Sequence, residues 1–365
     1  MHAGATPAAT VVTGPTVRGD YDADGKSDFG FFPPATGVFN VLLSTGGSII
    51  QPLGRTTDRL VPLLGDYDAS GRENVAVYDA TTSTFLIIPS DTPGVTINKQ
   101  FGTPGHGDIP LAGDYDGTGK TNIGVYDPTT STFSYISTRT GAVVNRVFGF
   151  VGDGNVPLTG DYDGTGKTNI GIFDPKVSTF AYISTRTDKV VVKPFGFVGH
   201  GNIPLSGDYD GDGQTDIGIF DPTSDYFAYA ASGTGRVVAL PFGFHGHGNI
   251  PLAGDFDGTG KSNVGIYDPT VTTFAYISTA DGHIAVRKIN DLTNITYIPF
   301  PTPILPPGFK ILAPINMPRP NSAPAATTPA TVKPVVATIT APASSRRLPT
   351  TSGPALAGIN VPRRS

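Results

Sequence analysis

Apolar residues in this chain come in short bursts of about four to six, separated by turns rich in Gly, Asp, Pro and Thr, and no stretch carries the 3.6-residue period of an amphipathic helix. Residues 110–115 and 123–127 are apolar runs flanking an acidic loop. Two more, 132–137 and 143–148, follow turns at Asp127-Pro128-Thr129 and Arg139-Thr140-Gly141. Phe133 and Tyr135 alternate with Thr132 and Ser134, which predicts a half-buried strand, and runs this short fit strands rather than helices.

This four-run unit recurs. The tetrapeptide Gly-Asp-(Tyr/Phe)-Asp begins at Gly19, Gly65, Gly113, Gly160, Gly207 and Gly254, at spacings of 46, 48, 47, 47 and 47 residues. Six four-stranded units of this length predict an all-β fold, a six-bladed β-propeller in which each blade buries its face on the next. The ring is expected over residues 17–300, with blades starting near 17, 61, 109, 156, 203 and 250. Residues 1–16 form an N-terminal segment able to supply a ring-closing strand. Either Val11-Val12 or residues 294–298 would add that strand to the first or last blade. After Phe300 the periodicity stops, and residues 301–365, dominated by Pro, Ala, Thr and Ser, predict a disordered tail or stalk.

Composition sharpens this picture. Glycine (47) and proline (34) are abundant, yet 14 Tyr and 21 Phe are enough aromatics for a core. Of the 30 acidic residues only Glu73 is Glu, and Asp is the shorter carboxylate that folds turns and reaches a cation in a tight loop. The tail holds seven Lys/Arg and no acid, which leaves 18 basic and 30 acidic residues, a net of −12, before it. An acidic body argues against a nucleic-acid partner. With no cysteine, disulfides and thiolate sites are excluded. No run reaches the ~18 apolar residues of a membrane-spanning helix, and the first residues show no standard secretory signal.

The acidic loops are the candidate metal sites. Counting from the first Asp, side-chain oxygens recur at loop positions one, three, five and nine: Asp20, Asp22, Asp24 and Asp28 in the first repeat, and Asp208, Asp210, Asp212 and Asp216 in the fifth. Alternate Asp residues followed by a bend-permitting glycine suit calcium, which takes six to eight oxygens; a backbone carbonyl at position seven and water would complete the shell. The other four loops keep the oxygens and lose two charges each: Asp66, Asp68, Ser70, Asn74; Asp114, Asp116, Thr118, Asn122; Asp161, Asp163, Thr165, Asn169; and Asp255, Asp257, Thr259, Asn263. Calcium is therefore expected to bind most strongly at residues 20–28 and 208–216. The competing reading is that all six are Asx-type turns that need no ion.

With these loops and the in-register pairs Phe101-Gly102, Phe148-Gly149, Phe195-Gly196 and Phe242-Gly243, the chain resembles the FG-GAP or VCBS-type repeats of integrin α-subunit-like propellers over roughly residues 17–290. The resemblance implies a propeller with calcium in its loops and an extracellular or cell-surface role in adhesion or recognition.

Other motifs weigh less. Arg18-Gly19-Asp20 spells an adhesion tripeptide, but Gly19 and Asp20 belong to the repeated loop. His106, His200, His245 and His247 lie in Gly-rich turns whose successive copies are a blade apart, too far to share one zinc ion, and only His245 and His247 are close in sequence. Asp79, Asp127, Asp174, Asp221 and Asp268 end strands and read as turn formers, and Asn294-Ile295-Thr296 fits a glycosylation acceptor. Catalysis usually needs unlike neighbours, whereas nearly every polar residue here is copied from blade to blade. The expected function is a non-enzymatic calcium-binding protein-interaction or adhesion module, monomeric or part of a larger surface polypeptide. The alternative is a multivalent glycan-binding, lectin-like propeller, in which Tyr135, Tyr182, Tyr229 and Tyr276 recur in register although no Trp is present to stack on sugar. A part of a polysaccharide-active enzyme comes third.

Overall fold

The computed structural model describes residues 18–33, 36–53, 60–92 and 94–289, and the backbone of 298–300. It shows six four-stranded antiparallel sheets arranged as the blades of a propeller. The third blade is representative: Ile109–Gly113, Asn122–Asp127, Thr132–Ile136 and Val143–Val147 pair in that order. The first blade differs, because its innermost strand is Ile298–Phe300, which pairs antiparallel with Phe29–Phe32. The ring is thus fastened by chain from the far end of the repeat region. Val11-Val12 and the tail lie outside the described residues. Among the described residues no helix is long and apolar enough to cross a membrane.

Strand alternation places one apolar set on each blade face, and each interface between neighbouring blades closes over its own core. Between the third and fourth blades, Ile109, Leu111, Phe133 and Phe148 pack with Ile172 and Ala181. Between the sixth and the first, Leu252, Phe256 and Phe274 pack with Phe29 and Phe31, and the Phe29 ring stacks on Phe256 at 4.5 Å. Phe85, Phe133, Phe180 and Phe274 occupy one position of the third strand in four blades and are fully buried. Truncating any of them to Ala would cost about 3–5 kcal/mol.

Near the axis, a second set of contacts joins the blades through main chain. The carbonyl of the first Asp in each loop accepts the N–H of loop position eight in the next blade: Asp66 from Thr121, Asp114 from Thr168 and Asp161 from Thr215, each at 2.8 Å. The series continues with Asp208 from Ser262 at 2.6 Å, returns through Asp255 from Ser27 at 2.7 Å, and closes with Asp20 from Glu73 at 2.8 Å. This close approach explains the glycine that precedes that Asp in the second to sixth repeats, whereas Gly19 has a left-handed backbone at φ +84. A Cβ on Gly160 would lie 2.7 Å from Thr215 Cγ2, and one on Gly113 would lie 2.7 Å from Thr168 Cγ2.

An antiparallel meander puts the links between first and second, and third and fourth, strands at one end of the ring. The second-to-third turns and the crossovers to the next blade occupy the other end. The acidic loops therefore share one face, and the Gly-rich crossover turns share the opposite one.

Gly160→Ala should lower stability by about 1–3 kcal/mol through overpacking, read as a fall in Tm. Thr215→Ala in the same background should recover part of that loss, because it removes the methyl that the new Cβ meets. Additive losses from the two changes would refute this account of the contact.

Candidate metal centre

Each acidic loop is a tight coil built around its first Asp. Asp114 accepts N–H from Thr118 (3.0 Å) and Gly119 (2.6 Å); Asp208 accepts N–H from Gly211 (2.6 Å), Asp212 (3.1 Å) and Gly213 (2.8 Å). Position six needs a left-handed backbone, which glycine supplies at φ +84 in Gly25 and +85 in Gly213. Position nine ties the coil shut by accepting the N–H of the position-two aromatic, as Asp216 does from Tyr209 (2.7 Å) and Asn122 from Tyr115 (2.8 Å). Position nine makes this bond in all six blades.

The loops part company in what position nine does with its other atom. With one amide oxygen committed to Tyr115 N–H, the Asn122 Nδ2 donates to Asp116 Oδ2 (2.9 Å) and to the Ile136 carbonyl (2.8 Å). Asn169 does the same to Asp163 (3.2 Å) and Ile183 (3.0 Å), and Asn263 to Asp257 (3.1 Å) and Ile277 (3.0 Å). The hairpin that follows adds donors: Thr138 N–H reaches Asp116 at 2.6 Å, Ser184 Oγ reaches Asp163 at 2.7 Å and Thr279 N–H reaches Asp257 at 2.7 Å. Burial pushes these carboxyls up, yet the donors outweigh it. Asp116 and Asp163 lie below the usual carboxylate range, and Asp257 falls to about 2. Asp68 is lowered as well, and accepts from Ser90 N–H at 2.7 Å.

In the first and fifth loops position nine is a carboxylate, which has no proton to give. Asp28 accepts from Tyr21 N–H (2.8 Å) and Ser44 N–H (2.7 Å), and Asp216 accepts from Tyr209 N–H and from Ser232 N–H (2.6 Å). Oxygens of Asp20, Asp22 and Asp28 all lie within 4.8 Å of one another, and so do those of Asp208, Asp210 and Asp216. Asp22 Oδ1 is buried with no hydrogen-bond partner. Burial pushes Asp28 up to about 7 and Asp216 to about 6, with the neighbouring carboxylates adding to the shift. Such a site lacks positive charge, and the hard oxygens at positions one, three and nine suit a calcium-sized cation.

Position five does not join these clusters. Asp212 instead accepts from Ser232 Oγ (2.9 and 3.0 Å), and Asp24 accepts from Ser44 Oγ. In the other loops the corresponding hydroxyls of Ser70, Thr118, Thr165 and Thr259 bond hydroxyls of the next hairpin.

Several other features are settled by position. Arg18 and Asp20 are not displayed as a tripeptide: Asp20 is buried, and Arg18 Nη1 spans the central channel to Thr159 Oγ1 at 3.3 Å. Glu73, the lone Glu, occupies the position-eight slot where other blades have Ser or Thr. It accepts Gly19 N–H at 2.9 Å and burial pushes it up to about 7. Tyr135, Tyr182 and Tyr229 stack on the loop aromatics, at 4.8 Å for Tyr115–Tyr135 and 4.7 Å for Tyr209–Tyr229, and Tyr276 meets Phe256 tilted at 5.3 Å, so each ring is partly covered. Asp79, Asp127, Asp174, Asp221 and Asp268 make Asx turns to the N–H two residues on. Asn294-Ile295-Thr296 lies outside the described residues.

The sequence did not single out the imidazole–carboxylate pairs on the crossover face. His200 Nδ1 meets Asp221 at 2.9 Å, His247 Nδ1 meets Asp268 at 2.8 Å, and His245 Nδ1 meets Asp225 at 3.0 Å. The signal was the offset of 21 residues that His200 and His247 share, each from the next strand-ending Asp. Interblade grooves open on this face as well. One, between the second and third blades, has a volume of about 490 Å³; its equivalent between the fifth and sixth is about 510 Å³.

No protein-family model matches the chain, and no curated protein matches it by sequence. Solved structures similar to it include a lectin from Agrocybe aegerita that recognises non-reducing terminal N-acetylglucosamine (12% identity, 73% of this chain and 90% of that one, TM-score 0.49). Also similar are a catalytically inactive virginiamycin B lyase from Staphylococcus aureus with quinupristin (8%, 75% and 88%, 0.47) and apo AztD from Citrobacter koseri (11%, 79% and 90%, 0.45). The likeness carries no activity with it.

Without metal, stability should fall as pH rises from about 4.5 to 7.5. Asp28, Asp216 and Glu73 hold their protons more tightly folded than unfolded, so each loses a stabilising proton across that window. Millimolar calcium should raise Tm at pH 7.5 and do little at pH 4.5, where the clusters are protonated. An equal calcium shift at both pH values, or none at pH 7.5, would rule out these carboxylates as the site.

Proposed function

We propose that the chain is a non-enzymatic, calcium-binding recognition module of FG-GAP/VCBS type, acting outside the cell or at its surface. Calcium is held at two loops, 20–28 and 208–216. The observation that carries the reading is the contrast at position nine. Asn122, Asn169 and Asn263 hand a proton to the neighbouring Asp, while Asp28 and Asp216 gather unneutralised carboxylates around a shared centre. The loops of Asn122, Asn169 and Asn263 are self-sufficient, and the four-Asp loops are completed by an ion. Affinities of about 10⁻⁴ to 10⁻³ M, common for extracellular calcium modules, suit a site with this ligand set. In calcium at about 100 times the dissociation constant, each site would add roughly 2.7 kcal/mol of stability.

Recognition is assigned to the crossover face, where the grooves open, and calcium stiffens the loops at the opposite ends of the same blades. The partner on this reading is a protein, as in adhesion. A glycan is the second reading, favoured by the groove between the second and third blades, where Asn145, Ser134, Thr132 and Asp108 present hydroxyl, amide and carboxyl groups.

Calorimetric titration tests the metal assignment. About two calcium ions per chain are expected, falling to one in Asp28→Asn or Asp216→Asn. Six equivalent ions, or no heat in the unsubstituted protein, would overturn it. A glycan array scored with and without chelator separates the two partner classes: binders on it would favour the glycan reading.

A further inference from the structure

The two interblade grooves provide an internal comparison, because they occupy the same place in the repeat and differ in side chains. Phe101, Gly102 and Asp127 of one correspond to Phe242, Gly243 and Asp268 of the other, 141 residues on. At six positions the chemistry changes from the first groove to the second: Gln100 to Pro241, Thr103 to Phe244, Pro104 to His245, Thr130 to Val271, Ser134 to Ala275 and Asn145 to Val286. The groove between the fifth and sixth blades has in effect exchanged its polar wall for an apolar one. The apolar wall is presented to solvent rather than packed away: Phe244 is 55% exposed, Val271 48% and Val286 65%. Ile266 and Phe242, both buried, form part of the lining.

Asp225, Asp268 and His245 line this groove, and no lysine or arginine does. Each carboxylate is positioned by an imidazole, His245 on Asp225 and His247 on Asp268, and the Phe244 ring stacks on His247 at 5.4 Å. A volume of about 510 Å³ falls in the range of small-molecule sites, which run to about 300–1,000 Å³ and combine apolar walls with a few convergent polar groups. An exposed phenyl face beside carboxylates attracts a positive charge through the ring quadrupole as well as through the acids.

We propose that the groove between the fifth and sixth blades binds a small organic cation, an ammonium-type head group carried on an apolar ring or chain. The apolar body lies against Val271, Ala275 and Val286, and the charged head sits beside Phe244 and the carboxylate of Asp225, with the buried Asp268 behind adding negative potential. A neutral sugar fits less well, because both carboxylates already accept from side chains of the fold and Val271, Ala275 and Val286 stand where the counterpart has Thr130, Ser134 and Asn145. The site stands on the face opposite the acidic loops and does not rest on the calcium reading.

The test uses the full chain and three probes: benzyltrimethylammonium, benzoate, which has the same ring and the opposite charge, and N-acetylglucosamine. Binding is followed by ligand-observed NMR and calorimetry, with and without chelator. Benzyltrimethylammonium should bind at one site at least tenfold more tightly than either other probe, and chelator should leave it unchanged. Phe244→Thr and Val286→Asn should each weaken it at least fivefold with Tm retained, since both residues are already accommodated at the same place in the second-to-third groove. Benzoate or the sugar binding as tightly as the cation would overturn the proposal, as would cation binding unaffected by both substitutions. If calcium titration fails while the cation still binds, the metal reading alone is lost.

Discussion

The carbonyl of the first Asp in each loop holds the next blade, and the rest of the architecture depends on that bond being made six times around the axis. The same residue's carboxylate gathers its own loop's N–H groups, so loop shape and blade-to-blade attachment belong to one device. This accounts for an Asp at position one in every repeat, including the loops in which Asn replaces Asp at position nine. A single bond of this kind contributes about 0.5–1.5 kcal/mol net. Six in a closed circle also fix the spacing of the blades near the axis, while the apolar interfaces farther out supply most of the burial.

Given that common frame, the loops have two ways of satisfying a buried carboxylate. One is to bring protons: the Nδ2 of Asn, a hydroxyl and a hairpin N–H converge on the Asp at position three and hold it ionised. The other is to bring only more oxygen, which leaves charge to be neutralised by an acid proton at low pH or by a cation above it. The neighbouring hairpin is matched to each choice. Asn122 faces the Ile136 carbonyl, while Asp28 faces the Ser44 N–H, so exchanging the two residues sets like against like with the main chain.

Much of this architecture is legible in the amino-acid sequence. The 47-residue recurrence determines blade number and strand count, and the representative strands fall within two residues of their expected ends. The division of the loops is only partly visible there, because counting oxygens treats Asn122 and Asp28 as equivalent ligands. What separates them is which atom of the side chain is already engaged by the position-two N–H. A correlate is present in the chain: Ser137, Ser184 and Ser278 follow three of the four Asn loops, with Pro89 at that place after Asn74, whereas Leu43 and Ala231 stand there after the Asp loops. The grooves are illegible for a different reason, since their walls come from two blades and from residues more than forty positions apart. Tyr135 and its counterparts, expected to offer a ring to a ligand, instead meet the aromatic of the loop itself, which partly covers each ring.

The strand that fastens the first blade runs from the crossover face toward the acidic-loop face, since Ile298 pairs with Phe32 and Phe300 with Gly30. Its last residue therefore points to the side of the loops. If the chain after Phe300 joins the propeller to something larger, the groove-bearing side is turned outward, away from the point of attachment, and the acidic-loop side lies nearest whatever anchors it.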